Sequence, residues 1–320
     1  MKKGLAMVTS GLVLALSADP ILASCGSAFC MINTNWGVQG QWTEPGLRAD
    51  LRFEYIDQDQ PMNGKDKVAV GQIPMHHDEV RTINRNWVAT FDYAFGPSWG
   101  ISAIVPVVDR DHTHIHNHQG AQITETWSFA DLGDVKVLAR FQFPGESHDE
   151  ALNSAGMIFG LKLPTGKFDV RNAQGALAER TLQPGSGTTD LVFGAYLQGS
   201  LPLKNMSWFA QALVQDALNM RDEFRPGDRL GADFGVRYDF AQGLGLMLQI
   251  NALVKGKDEG QEAETDDSGG KFVFVSPGIS YSLTRDVQIY GFVQLPLYQY
   301  VNGVQLVANR AFAAGISGRF

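Results

Sequence analysis

Six of the seven histidines fall in two short stretches, and their spacing is the first sign of chemistry. His112, His114, His116 and His118 alternate within Asp109-Arg-Asp-His-Thr-His-Ile-His-Asn-His-Gln119, and His76 and His77 precede Asp78 and Glu79. Alternation is the period of a strand, so an extended chain through Val107 puts all four imidazoles on one face, with Ser102 and Ile104. Neighbours on that face are about 7 Å apart along the strand. One ion then needs loop curvature, or help from His76, to gather several ligands. Neutral imidazole suits zinc, copper or nickel. Three readings stand: a solvated His-rich loop, a divalent-metal site drawn from these six histidines, and a pH-sensitive gate.

Cys25 and Cys30 are the only cysteines. In an oxidising compartment they are expected to close a small disulfide loop. A redox or metal-handling dithiol is a second reading. Lipidation of Cys25, in Leu22-Ala23-Ser24-Cys25, is a third. The spacing is not that of a C-x-x-C motif. Gln183 to Thr189 is glycine-rich but lacks the Gly-Lys-Ser/Thr of a phosphate loop. No serine stands beside His76 or His112 to complete a hydrolytic triad. The chain is therefore expected not to be an enzyme, and to carry no cofactor beyond such a metal. With 26 basic and 34 acidic residues the formal charge is −8. Without Lys2, Lys3 and Asp19 it becomes 24 − 33 = −9, which argues against a nucleic-acid partner.

The elements that must carry these residues repeat every second position. Twelve segments alternate: 47–55, 87–95, 101–107, 135–143, 155–163, 191–197, 208–214, 230–240, 244–252, 273–281, 287–295 and 312–320. One face of each is apolar, as in Phe312, Ala314, Ile316, Gly318 and Phe320. The other carries Arg48, Asp50, Arg52, Glu54, Asp92, Lys136, Arg140, Gln142, Lys162, Asp233, Arg237, Asp239, Gln249 and Asn251. Lipid outside and a polar lumen inside explain both faces. The expected fold is all-β: a transmembrane antiparallel β-barrel of about twelve strands, from the bacterial outer membrane. No run of about 18 apolar residues follows the N-terminus, so no membrane helix is expected. A mean hydropathy of −0.12 fits a barrel, whose polar lumen offsets its apolar belt.

Lys2, Lys3 and the short apolar stretch Gly4 to Ala18 resemble a secretory signal. The expected organisation is a signal peptide over 1–23, a periplasmic N-terminal segment with the cysteine pair over 24–46, and the barrel over 47–320. Connections alternate short and long, which places both ends of the barrel in the periplasm and the His stretches in the outer loops.

Three stretches carry a resemblance. They are Leu163-Pro-Thr-Gly-Lys167, Gln183-Pro-Gly-Ser-Gly-Thr-Thr-Asp-Leu-Val-Phe-Gly-Ala-Tyr-Leu197 and Tyr290-Gly-Phe-Val-Gln-Leu-Pro-Leu-Tyr-Gln-Tyr-Val-Asn-Gly-Val-Gln-Leu306. Together they resemble an outer-membrane "transporter" family named for the meta-pathway of phenol degradation. The resemblance implies a channel-like barrel with a poorly defined substrate, and it assigns no catalytic or ligand residue. The expected job is passive passage of a small solute across the outer membrane of a Gram-negative bacterium, with lipid and solute as partners. The other reading is a closed barrel whose His-bearing loops hold a divalent metal or a partner. The charged row Arg48, Asp50, Arg52, Glu54 serves either a conducting lumen or an ion-pair network that plugs it.

Overall fold

The computed structural model describes residues 32–40, 44–73, 78–118, 121–144 and 152–320, with the backbone alone at 78, 116–118 and 121. Fourteen strands form one antiparallel sheet: β1 (Gly46–Asn63), β2 (Asp66–Lys67), β3 (Asp78–Ala94), β4 (Trp99–His118), β5 (Ala121–Leu132), β6 (Lys136–Gln142), β7 (Ser154–Lys162), β8 (Asp190–Ser200), β9 (Met206–Ala217), β10 (Arg229–Asp239), β11 (Leu244–Lys255), β12 (Gly270–Ser282), β13 (Val287–Val301) and β14 (Val304–Arg319). All but β2 and β5 are staves of a barrel. Each stave pairs with the next, and β14 pairs with β1, from Arg48↔Arg319 to Asn63↔Val304. The twelve-strand closed barrel read from the alternation is therefore what forms. Closure leaves no stave with a free edge, the condition for spanning lipid with strands.

The outward positions explain why lipid suits this surface. Leu51, Phe91, Ile101, Phe193, Phe234, Leu248, Ile279 and Ile316 are all exposed on the outside. Aromatic pairs gather near the short-turn end: Tyr93 with Phe95, Trp99 with Phe141, Phe141 with Phe143, and Tyr238 with Phe240. Aromatic rings at this level mark a membrane interface. At the other end the belt stops where outward charges begin. Arg81 pairs with Asp57 at 2.5 Å, and Arg85 reaches Asp109 at 2.8 Å and Asp111 at 2.6 Å. Strands β1, β3 and β4 continue beyond that level, and β5 pairs with the extension of β4 from Val107↔Leu132 to His118↔Ala121. Part of what the alternation alone leaves as long loops is thus sheet standing clear of the lipid.

The barrel wall is thin where glycine faces the lumen. Four cross-strand pairs set an inward glycine against an aromatic ring: Gly156↔Tyr196, Gly235↔Phe209, Gly278↔Phe292 and Gly315↔Tyr290. A Cβ at Gly235 would stand 2.2 Å from the Phe209 ring, and one at Gly278 2.3 Å from the Phe292 ring. Each ring therefore lies flat over its glycine instead of projecting into the lumen.

The lumen and its mouth as the candidate functional site

Residues 32–40 lie inside the barrel, near its short-turn end. This differs from the expectation of a periplasmic segment running up to residue 46. The segment makes a single turn, with the Gln39 amide bonded to the Asn35 carbonyl at 3.1 Å. Trp36 packs edge-on against Tyr290, ring centres 5.0 Å apart, and donates its indole N–H to Ser317 Oγ at 2.7 Å. The Asn33 amide donates to Gln249 Oε1 at 3.0 Å, and its side chain donates to Asp233 at 3.3 Å. Arg52 donates to Thr34. Val38 is fully buried among Leu138, Ile158, Val192 and Tyr196.

That last contact corrects the picture of a uniformly polar inner face. Leu138, Ile158, Val192, Phe209 and Phe292 occupy inward positions and are buried. Even-numbered residues of β6, β7 and β8 face inward whatever their polarity, because register permits no other choice. The apolar inward residues need cover, and Val38, Trp36 and Ile32 supply it.

The charged inward residues are paired along and across the strands. Arg48 meets Asp92 at 2.6 Å, and Ser102 donates to the other oxygen of Asp92 at 2.7 Å. Arg52 meets Glu54 at 2.8 Å. Asp50 accepts from Tyr290 Oη at 2.9 Å and from Ser317. Arg237 meets Asp239 at 2.8 Å, and Asp233 accepts from Asn251 at 2.7 Å. Arg140 lies 3.4 Å from both Gln142 Oε1 and Tyr196 Oη. Lys162 sits between Asp134 at 2.8 Å and Asp190 at 3.1 Å. Lys136 faces the lumen beside Lys162, its register partner on β7. Such pairs fix side chains at set heights, and losing one partner would strand a charge at a cost of about 3–5 kcal/mol.

At the long-loop end two histidines of the cluster, His112 and His114, are described with their side chains. Strand β4 does continue, so His112 and His114 face inward, and both are buried. Their rings approach closely, His112 Nε2 to His114 Nδ1 at 3.3 Å. His112 Nδ1 meets Thr82 Oγ1 at 2.9 Å. His114 faces Glu125 at 3.4 Å and Glu179 at 3.5 Å. Trp127 packs on both rings. Among the described residues, no group of three or more His, Cys, Asp and Glu takes an arrangement that could hold a metal ion. The side chains of His116 and His118, the residues His76 and His77, and the pair Cys25 and Cys30 lie outside the described residues, as does the expected signal peptide.

What the two histidines do is seat a loop. Residues 163–189 fold over the mouth, burying Ala178 and Leu182 against Trp127 and Leu306. Arg110 donates to the Leu182 carbonyl at 2.6 Å and to Asn84 at 2.7 Å. Trp127 donates to the Ala176 carbonyl at 3.1 Å. Glu179 reaches the histidine pair from this loop. The level is above the lipid belt, beside outward Asp109 and Asp111. Here burial pushes the His112 imidazole down to about 3, against the pull of Glu179. Burial likewise raises Glu79 well above the usual carboxylate range, and the nearby charges of Glu179 and Asp267 add to the rise. The sequence marks the histidines but gives no sign of Arg110, Trp127 or residues 32–40, since none belongs to a repeating motif.

The architecture has solved counterparts. One is the COG4313 outer membrane channel from Pseudomonas putida F1, with TM-score 0.66 and 12% identity, covering 87% of this chain and 96% of that one. The NanC porin has TM-score 0.48 and 10% identity, covering 85% of this chain and 100% of that one. At 12% identity the first of these likenesses shows the fold alone, a β-barrel of the outer-membrane type. No curated protein is significantly similar in sequence. The family described as "Putative MetA-pathway of phenol degradation" matches residues 79–320. With that match spanning ten of its twelve staves in full and most of an eleventh, the chain belongs to this family.

Proposed function

We propose that this barrel is a channel of the Gram-negative outer membrane through which a small solute passes down its gradient. The long-loop mouth faces outward and residues 32–40 form the inner constriction. The single observation behind this reading is how that segment is held. It fills the lumen through apolar contacts and side-chain hydrogen bonds, and it adds no strand to the wall. A segment held this way can leave without breaking the sheet, whereas a structural stave cannot.

The test is conductance of the refolded chain in planar bilayers, with and without residues 24–40. Heat-modifiable migration on gels reports whether each barrel has closed. Small ion steps in the full chain and larger ones after deletion are expected. A closed barrel that conducts in neither form would end the channel reading.

A further inference from the structure

The outward faces of β12, β13 and β14 end in cations and rings at the long-loop end. On β12 the exposed apolar run through Tyr281 and Ile279 stops at Lys271, which stands opposite the exposed Val254 of β11. On β13 the run through Ile289 and Leu295 stops at Tyr298 and Tyr300, and Tyr300 stands opposite Lys271. On β14 the run through Ile316 and Phe312 stops at Arg310. A bulge aims that arginine. Strand β14 sets Asn309 and Arg310 against Asp57 alone, between the buried pairs Ile56↔Ala311 and Gln58↔Ala308, and both side chains are exposed on the outside.

The turn between β1 and β2 brings two more cations to the same side. The Val301 amide donates to the Gly64 carbonyl at 3.0 Å, which ties the turn to β13. Lys65 then lies over the Tyr298 ring, 5.9 Å from its centre. Lys67 donates to Asn309 at 3.2 Å, beside Arg310 in the chain. Nearby acids do not cancel this charge. Asp57 is taken by Arg81, and Asp59 accepts from Asn309 at 3.3 Å. Against Lys65, Lys67, Lys271 and Arg310 stand Asp59 and Asp66, which leaves 4 − 2 = 2 positive charges. Elsewhere at this end of the barrel Arg85, Lys167, Arg225 and Lys257 each meet a carboxylate at 2.6–2.8 Å. Lys271 and Arg310 make no hydrogen bond or ion pair among the described residues.

The level of these cations decides what they meet. They stand where the outward apolar runs end, so they lie beside the headgroups of the lipid that covers Leu295, Leu297 and Phe312 below them. A phosphate at that level gains charge-assisted hydrogen bonds from a guanidinium and from ammonium groups, and an interfacial tyrosine supplies a further donor. The acyl chains of the same molecule lie on the exposed apolar side chains, whereas a free anion gains nothing from them. We infer that Lys65, Lys67, Lys271 and Arg310 form a site on the outer wall for the phosphate headgroup of an anionic lipid, with its chains along Leu295 and Phe312. Its place in the outer leaflet rests on the long-loop end facing outward, as proposed above; the binding itself does not, and it needs no conduction.

Native mass spectrometry of the refolded full chain in detergent tests it, with diphosphoryl lipid A as the probe and its dephosphorylated form as the uncharged counterpart. The phosphorylated lipid is expected to bind more tightly. One cation near a charged lipid surface is worth about fivefold in affinity, so Lys271→Gln with Arg310→Gln should weaken binding roughly 25-fold. Lys271→Arg with Arg310→Lys should keep most of the affinity, and it carries the test if the Gln pair does not fold. Arg85→Gln, which removes a paired cation from the same end, should leave binding within about twofold. Equal affinity for the Gln pair and wild type, an equal loss in Arg85→Gln, or equal binding of the two lipids would overturn the site. Displacement of lipid A by inorganic phosphate at equal concentration would overturn the lipid as its occupant. Labelling of Lys65→Cys by an impermeant reagent on whole cells, above the wild-type level, reads the leaflet. Its absence would overturn the outward orientation while the lipid A binding stood.

Discussion

Trp36→Ala is the sharpest probe of the lumen segment, because Trp36 carries the largest share of its anchorage. The indole is 4% exposed, sits 5.0 Å from the Tyr290 ring centre, and donates to Ser317 at 2.7 Å. Arg237 lies over its face at 5.9 Å. Truncating a buried Trp to Ala costs about 3–5 kcal/mol in a packed interior, of which an edge-on aromatic pair accounts for about 0.5–1.5 kcal/mol. The loss falls on the seated state alone, since a departed segment has no contact to lose. Taking about 3 kcal/mol, the ratio of departed to seated segment rises roughly a hundredfold. Single-channel recording reads that ratio as time spent at the higher conductance level. Ser317→Ala removes the hydrogen bond from Trp36 but not the ring packing, and the Ser317–Asp50 bond it also removes lies within the wall whether or not the segment is seated; it should raise the same ratio about fivefold, the equivalent of about 1 kcal/mol. A gel shift on heating checks that each variant is a closed barrel. If Trp36→Ala matches wild type in both conductance and dwell times, residues 32–40 are not the constriction and the reasoning fails.

Three further outcomes are expected. Gly235→Val should push the Phe209 ring off the wall into the lumen and lower conductance without unfolding the barrel; an unchanged conductance would show that the ring has another place to go. His114→Asn should loosen the loop 163–189, seen as faster proteolysis there, with zinc affinity by calorimetry unaltered; a loss of zinc binding would restore a metal role for this histidine. The mouth should also loosen in acid. A released His112 takes up a proton near its ordinary value of about 6.5, while the seated one, facing Thr82, His114, Arg110, Trp127 and Glu179, resists until about 3. Its contribution is thus complete above about 6.5 and is lost as pH falls toward 3. Glu79, raised by burial, acts in the opposite sense and favours the closed mouth as pH falls. His112→Asn should therefore flatten the acid limb of loop protection against protease, and an unaltered limb would assign it elsewhere.

The staves were legible in the sequence because lipid makes the same demand of each of them. Every outward position between the two interfaces must be apolar, so β10 reads Leu230, Ala232, Phe234, Val236, Tyr238 without a break. Beyond the lipid that demand ends. Outward Asp57, Arg85, Asp109 and Asp111 erase the contrast between faces, and irregular register at Ile56/Gln58 and Glu79/Arg81 breaks the period. Strand β5 and the upper parts of β1, β3 and β4 were therefore hidden. His112 and His114 were rightly placed on the lumen side once β4 continued, but their chemistry depended on Thr82, Trp127 and Glu179, which come from other elements. The segment 32–40 was hidden for a related reason. A chain buried in a lumen meets a different partner at every residue, so Ile32, Trp36 and Val38 follow no period that a sequence could display.

The seam between β1 and β14 also sets the order in which the molecule can be made. Arg48 and Arg319 are 319 − 48 = 271 residues apart. Bringing such distant points together costs about 5 kcal/mol on the logarithmic length scale, against about 1 kcal/mol for a turn of a few residues. Neighbouring hairpins such as β10–β11 can form locally and early, whereas the seam repays its entropy only when the sheet is nearly whole. Residues 32–40 touch β1, β8, β11, β13 and β14, staves drawn from both sides of that seam. The segment gains its full set of contacts only when both sides of the seam are in place, so its seating and the closure of the cylinder favour one another without either being a precondition of the other.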